Sequence, residues 1–260
     1  MSNTAANCIV IDKSKCIGCA KCVKDCVAFA LYIENGKANV REGCIECGHC
    51  FAICPVGAVD MPAYDKSDCE AITNLSEIDS EALLAGIKSR RTIRQYKSTP
   101  VEKEKLDMIL KAGQYAPTGG NSQNVAFTIL GSKQDEIERE CVKLFRAGVG
   151  VGSVFSKMLK NTEISDNFFF KGAPLVIVVS GHNEVNATIA AAYMELEANS
   201  LGLGVLYSGF FCSCARINPK IKSALKLPKG HKAVCCLIMG YPDVKYKRTA
   251  PRKQHEVKTL

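Results

Sequence analysis

Residues 16–54 restrict what this chain can fold into more than any other stretch. They read Cys16-Ile-Gly-Cys19-Ala-Lys-Cys22-Val-Lys-Asp-Cys26, then a spacer, then Cys44-Ile-Glu-Cys47-Gly-His-Cys50-Phe-Ala-Ile-Cys54 and Pro55. The spacing C-x2-C-x2-C-x3-C thus occurs twice, with an internal repeat of 28 residues from Cys16 to Cys44. Two intervening residues let successive sulfurs of a tight loop point into one hollow. Each run therefore offers three converging thiolates and a fourth set apart from them. A lone C-x2-C is shared by zinc ribbons and redox dithiols. Zinc wants C-x2-C pairs separated by a longer stretch, not three cysteines in quick succession. A disulfide framework fits worse still. The N-terminal Met1-Ser-Asn-Thr-Ala-Ala-Asn has no basic region followed by an apolar stretch, so no secretion signal is expected. Fifteen cysteines in that setting imply a reducing, cytoplasmic location, plausible for an anaerobic cell.

With this double run, residues 1–64 resemble the bacterial-type ferredoxins that carry two [4Fe–4S] clusters. In such ferredoxins the last Cys of each run ligates the other cluster. The resemblance implies Cys16, Cys19, Cys22 and Cys54 on one cluster and Cys44, Cys47, Cys50 and Cys26 on the other. One departure is Val27, which follows Cys26 where the usual run has Pro; it bears on the turn after the ligand more than on ligation. Residues 9–11, 31–33 and 59–61 read as short strands, and Glu34-Asn35-Gly36-Lys37 as a hairpin turn, because Asn-Gly accepts positive φ cheaply. So small a core is expected to need its metal as a staple. His49, between ligands, is expected to tune a cluster or face solvent rather than bind iron.

The formal charge of +8 is unevenly spread. Residues 1–69 hold 7 Lys/Arg and 8 Asp/Glu, while the remainder holds 27 and 18. The basic excess sits beside an acidic redox module, a split that can steer docking of redox partners. No basic helix or aromatic-interleaved patch suggests nucleic acid. No apolar run approaches the ~20 residues of a membrane helix, so no membrane partner is expected.

Residues 65–79 are polar and read as a linker. From Ser80 a helix begins, with Leu83, Leu84 and Ile87 on one face. The segment Ser89-Arg90-Arg91-Thr92-Ile93-Arg94-Gln95-Tyr96 follows, then Thr99-Pro100-Val101 and a helix over 102–116. That helix runs into the turn-rich Ala116-Pro117-Thr118-Gly119-Gly120-Asn121-Ser122-Gln123. Later expectations are a strand over 125–130, a helix over 134–147, a fully apolar strand over 174–180 and an Ala-rich helix over 186–201 capped by Gly202. A short helix over 221–227 and a strand over 233–239 complete them.

The Arg-Arg-Thr-Ile-Arg segment, the Pro-Val plus helix, and the Ala-Pro-Thr-Gly-Gly-Asn-Ser-Gln loop together resemble the nitroreductase family of FMN flavoproteins, over roughly residues 86–257. The whole chain is then similar to a ferredoxin–nitroreductase fusion. The resemblance implies an α+β fold: a mixed β-sheet flanked by helices, with a ferredoxin module at 1–64, a linker at 65–79 and an FMN domain at 80–260. It implies FMN contacts from Arg90, Arg91, Thr92, Arg94, Asn121 and Gln123 and from Tyr207, Ser208 and Gly209 in the segment along the ring. Paired guanidiniums suit a phosphate on chemical grounds alone. A backbone N–H near Ser208–Gly209 is expected to reach the ring N5. A homodimer is implied, with Pro117, Thr118 and Gly119 reaching the partner subunit's flavin. Arg252 and, second, Arg248 are expected on the FMN phosphate; the plain alternative is a solvated basic tail. Residues 149–172, ending in Phe168-Phe169-Phe170, are expected as a lid and substrate selector; the alternative is core packing, with at least one Phe turned away from a helix's buried face.

Gly148, Gly150 and Gly152 do not follow a strand into a helix with a later acidic partner, so no dinucleotide loop is read there. Cys8, Cys69, Cys141, Cys235 and Cys236 are expected mostly as buried fillers; Cys212 and Cys214, near the flavin-facing segment, are more open. No Ser-His-Asp or H-E-x-x-H arrangement occurs. No side-chain acid, base or nucleophile is therefore named. The expected activity is electron transfer from clusters to FMN and on to a small electron-poor organic acceptor: a nitroaromatic, quinone or activated alkene. The donor is an external ferredoxin or, in a rival reading, NAD(P)H at the flavin with the clusters as exit. A second rival is a non-catalytic electron carrier or redox sensor.

Overall fold

A computed structural model describes residues 8–74, 77–149 and 163–260. The chain forms two compact units, one of Met1–Glu77 with Thr118–Ser122, the other of Ile78–Pro117 with Gln123–Leu260.

The first unit is built twice over. Its elements are β1 (Val10–Ile11), α1 (Lys21–Lys24), β2 (Leu31–Glu34), β3 (Lys37–Val40), α2 (His49–Ile53) and β4 (Val59–Asp60). Strands β1 and β4 pair antiparallel, as do β2 and β3. A shift of 28 residues carries β1 onto β3, α1 onto α2 and β2 onto β4. The same shift superposes the left-handed backbone positions: Gly18 (φ 66°) on Glu46 (φ 55°), Ala20 (58°) on Gly48 (75°), Phe29 (53°) on Gly57 (58°). Asn35 and Gly36, both at positive φ, make the hairpin turn between β2 and β3. Ile9, Leu31, Ala38, Ala58, Val59 and Met61 form the core together with Cys8, Cys16, Cys22 and Cys50.

In the second unit, β5 (Val125–Ile129), β6 (Leu175–Gly181), β7 (Gly204–Tyr207) and β8 (Lys232–Gly240) form one sheet in the order β5-β6-β8-β7. Its ladders are antiparallel; the parallel contribution is the bridge of Thr92 to Val205 on β7. Every residue of β6 is buried, as its unbroken apolar run requires of a central strand. One face is covered by α4 (Lys103–Gln114) and α6 (Glu184–Ser200), through Ile109, Ala187, Ala190, Ala191, Met194 and Ala198. The other carries α5 (Gln134–Val149), α7 (Gly209–Ile217) and α8 (Pro219–Leu225), through Ile137, Cys141, Phe145, Phe211, Ile221 and Leu225. Helix α3 (Ser80–Ser89) is capped by Asp79, whose carboxylate accepts the Ala82 N–H at 2.6 Å, one residue before the start expected from Ser80.

Phe168, Phe169 and Phe170 are all buried, contrary to the expectation that one must turn outward. They lie in successive turns rather than a helix, so no single helical face limits them. The buried Glu138 of α5 anchors this stretch, accepting the N–H groups of Phe169 (2.7 Å) and Phe170 (2.9 Å). Burial pushes its carboxyl up to about 7 against those two donors, which favour the charged form. Residues 150–162 of the expected lid lie outside the described residues.

Candidate cluster and flavin sites

The eight cysteines of the double run surround two separate hollows. Cys16, Cys19, Cys22 and Cys54 line one, with Gly18, Ala38 and Ala58. Cys26, Cys44, Cys47 and Cys50 line the other, with Ala30, Gly48 and His49. Each hollow thus takes three thiols from its own run and the last thiol of the other. Backbone N–H groups point at the sulfurs: Ala30 to Cys26 (3.3 Å), Ala58 to Cys54 (3.2 Å), Ala38 to Cys16 (3.4 Å) and Glu46 to Cys44 (3.3 Å). The first two donors are again 28 residues apart. Such donors favour thiolates, and those on Cys16, from Ala38 and Gly18, hold its thiol below the usual value. Burial acts oppositely on the equivalent pair Cys22 and Cys50, pushing Cys50 up to about 11. A metal that binds there must displace the proton. Among the described residues, no three His, Cys, Asp or Glu converge as ligands of a single ion would. Two foursomes spread round two N–H-lined hollows fit two polynuclear cubanes instead. His49 turns to Asp25, Nδ1 to Oδ2 at 3.0 Å, and is largely exposed.

Among the described residues, the turn between Cys44 and Cys47 has partners different from those of its counterpart. The Glu46 carboxylate accepts the Tyr64 hydroxyl at 2.8 Å, and burial together with that carboxylate pushes the phenol up to about 12. Asn121 Nδ2 donates to the carbonyls of Ile45 (3.2 Å) and Glu46 (2.9 Å). Asn121 was expected on the flavin; the structure commits its amide donor to this turn.

The candidate flavin residues follow α3. Ile93 N–H donates to Val205 O at 3.1 Å, locking the arginine segment along β7. Gly204 permits the approach, because a Cβ there would stand 2.2 Å from Ile93 Cγ1. Arg90 Nη1 pairs with the buried Glu195 of α6, at 2.7 Å. Arg91 donates through Nη1 to Arg90 O at 2.9 Å, and its Nη2 is the buried side-chain polar atom left without a partner among the described residues. Arg94 is exposed; Lys171 is lowered chiefly by burial, with the Arg94 charge a smaller contribution in the same direction. Ser208 is buried and Gly209 begins α7, so the unpaired N–H groups of a helix start lie beside these two residues. Tyr207 is bonded to Glu195, and its phenol is pushed up chiefly by burial. Pro117, Gly119 and Gln123 are exposed and Thr118 half-buried. Arg248 and Arg252 are exposed in the tail. Cys212 and Cys214 are buried on α7 as free thiols, and a hydrogen bond from Cys141 lowers Cys214.

Residues 87–241 match the model of the nitroreductase family. The chain belongs to that family. Residues 8–55 match a 4Fe-4S dicluster domain. An FMN reductase [NAD(P)H] of Bacillus subtilis is 29% identical over 174 residues, 62% of this chain and 66% of that protein. A ferredoxin of Pyrobaculum islandicum is 43% identical over 65 residues, 24% of this chain and 61% of its own. The chain thus spans under two thirds of each of these relatives. A nitroreductase with bound FMN from Desulfitobacterium hafniense shares the fold, with a TM-score of 0.59 and 22% identity over 70% of this chain and all of that one.

The nitroreductase domain offers FMN a good fit. A buried guanidinium corner without a partner is costly and calls for an anion; Arg91 Nη2 is such a corner. Sequence reasoning missed Glu195, which engages Arg90 through Nη1. An acidic residue on the Ala-rich helix is its only trace in the sequence.

Proposed function

We propose that this chain is an iron–sulfur and FMN-dependent oxidoreductase. It accepts electrons singly at its cluster unit and passes them in pairs to a small electron-poor organic acceptor: a nitroaromatic, a quinone or an activated alkene. Bound clusters would supply one-electron relays and bound FMN a two-electron hydride store. The observation that carries the reading is one chain bearing two Cys foursomes and an arginine segment with an unpaired buried donor.

Arg91 and Arg94 hold the FMN phosphate, assisted by Thr92 and, from the tail, by Arg252 or Arg248. Arg90 acts one step back, fixed by Glu195. Ser208 donates its own N–H to Cys236 O at 2.9 Å, so the N–H groups offered to the ring are those of Gly209 and the first turn of α7, and Gln123 serves its polar edge. Pro117, Thr118 and Gly119 serve the flavin of a partner subunit. The homodimer this requires is supported by α3, whose Leu83, Leu84 and Ile87 are exposed. No described helix is long and apolar enough to cross a membrane.

Iron, sulfide and flavin assays on anaerobically purified protein test the reading; colourless protein would end it. Reduced ferredoxin should bleach the flavin faster than NADH does in stopped flow. The reverse order would favour the NAD(P)H-fed alternative, which the similarity to the Bacillus FMN reductase [NAD(P)H] supports. Arg91→Ala should lose more FMN than Arg90→Ala.

A further inference from the structure

We propose that Asn121 is a positioning residue of the second cluster, holding the Cys44–Cys47 turn and raising that cluster's reduction potential. The inference rests on the proposed function in taking the clusters as resident.

The backbone is the first ground. Gly120 (φ 58°), Asn121 (51°) and Gln123 (46°) all adopt the left-handed region, which Asn tolerates better than most side chains. A loop so bent persists only where its surroundings over-determine it. Here its Thr118–Ser122 part groups with the first unit, although the chain reaches it only after α4. The contact is the second ground. One amide nitrogen meets the two successive carbonyls between Cys44 and Cys47, at 3.2 and 2.9 Å. The Glu46 peptide beside them gives its N–H to Cys44 Sγ at 3.3 Å, so holding this turn also holds a thiolate donor in place. The third ground is the missing equivalent. The repeat puts Gly18 opposite Glu46, and Gly18 packs against the Gly36 carbonyl instead.

The sign follows from charge. A reduced cluster carries one more negative charge than an oxidised one. An N–H aimed at its turn, and a turn that keeps a second N–H on sulfur, both favour the reduced form. Removing the Asn121 amide should therefore make this cluster harder to reduce.

The test is reductive titration of the anaerobic holoprotein, followed by EPR, with iron and FMN content measured alongside. Asn121→Gly removes the amide without penalising the left-handed backbone. Asn121→Asp keeps the shape but has no donor for the two carbonyls. Both should lower the midpoint of one cluster with the other unmoved, by up to about a tenfold change in its reduced-to-oxidised ratio, or ~59 mV. Glu46→Gln marks the same cluster by moving it upward. Wild-type midpoints in both variants, equal shifts of both clusters, or loss of FMN with both midpoints unchanged would overturn the inference. Wild-type protein without iron would instead overturn the functional reading beneath it.

Discussion

The two halves of the cluster unit share a backbone and differ in what surrounds it. Three pairs of left-handed residues, the short helices and the N–H groups on Cys26 and Cys54 repeat position for position. The neighbours do not. Around the first turn stand two cations: Lys37 Nζ donates to Cys16 O at 2.5 Å, and Lys13 bonds to Ala38 O. Around the second stand the Glu46 carboxylate, Tyr64 and Asn121. Ligand spacing dictates the scaffold, and so the scaffold is duplicated; charge is free to diverge. The two clusters are therefore expected to differ in potential, the first being easier to reduce.

The harshest test of the equivalence swaps the crossed ligands. Cys54→Ala should remove the cluster of Cys16, Cys19 and Cys22, and Cys26→Ala that of Cys44, Cys47 and Cys50. Each would cost about half the iron. Iron assay with EPR of the survivor checks this, and loss of the same cluster in both variants would refute the crossed sets. Next come the glycines. A Cβ on Gly18 would stand 2.2 Å from Gly36 O, so Gly18→Ala should destabilise the unit by roughly 3 kcal/mol or more. Gly48→Ala meets nothing nearer than Met61 Sδ at 3.8 Å, and its repeat partner is already Ala20, so about 1 kcal/mol is expected. Denaturant melts of the anaerobic protein separate the two. The smallest effect is electrostatic. Lys37→Met should lower the first midpoint by tens of millivolts, while Glu46→Gln raises the second. A titration in which either variant shifts both clusters alike would break the proposed asymmetry.

Much of this organisation was legible in the residues. The 28-residue repeat, the Asn35-Gly36 turn and the apolar run of β6 depend on local spacing and periodicity, which a sequence displays directly. Three kinds of feature did not show. Helix α7 begins at Gly209 and carries two Phe and two Cys, a composition that gives no polar face to mark its period. Strand β3, Lys-Ala-Asn-Val, is too short and mixed to read as one; its partner across the hairpin decides it. The partners of Arg90 and Asn121 lie 105 and 75 residues away, so the residue type announces only that a donor is present, not what it meets. The arginine segment shows the same limit. Three cations in five positions suggested one shared task, yet a single glutamate on α6 divides them.

The 75-residue separation between Asn121 and Glu46 has a consequence for biosynthesis. A nascent chain that has cleared the ribosome to Glu77 already displays all eight ligand thiols, but not the amide that braces the second turn. Assembly machinery that loads iron and sulfide during translation would meet a finished first nest and a second one still awaiting its clasp.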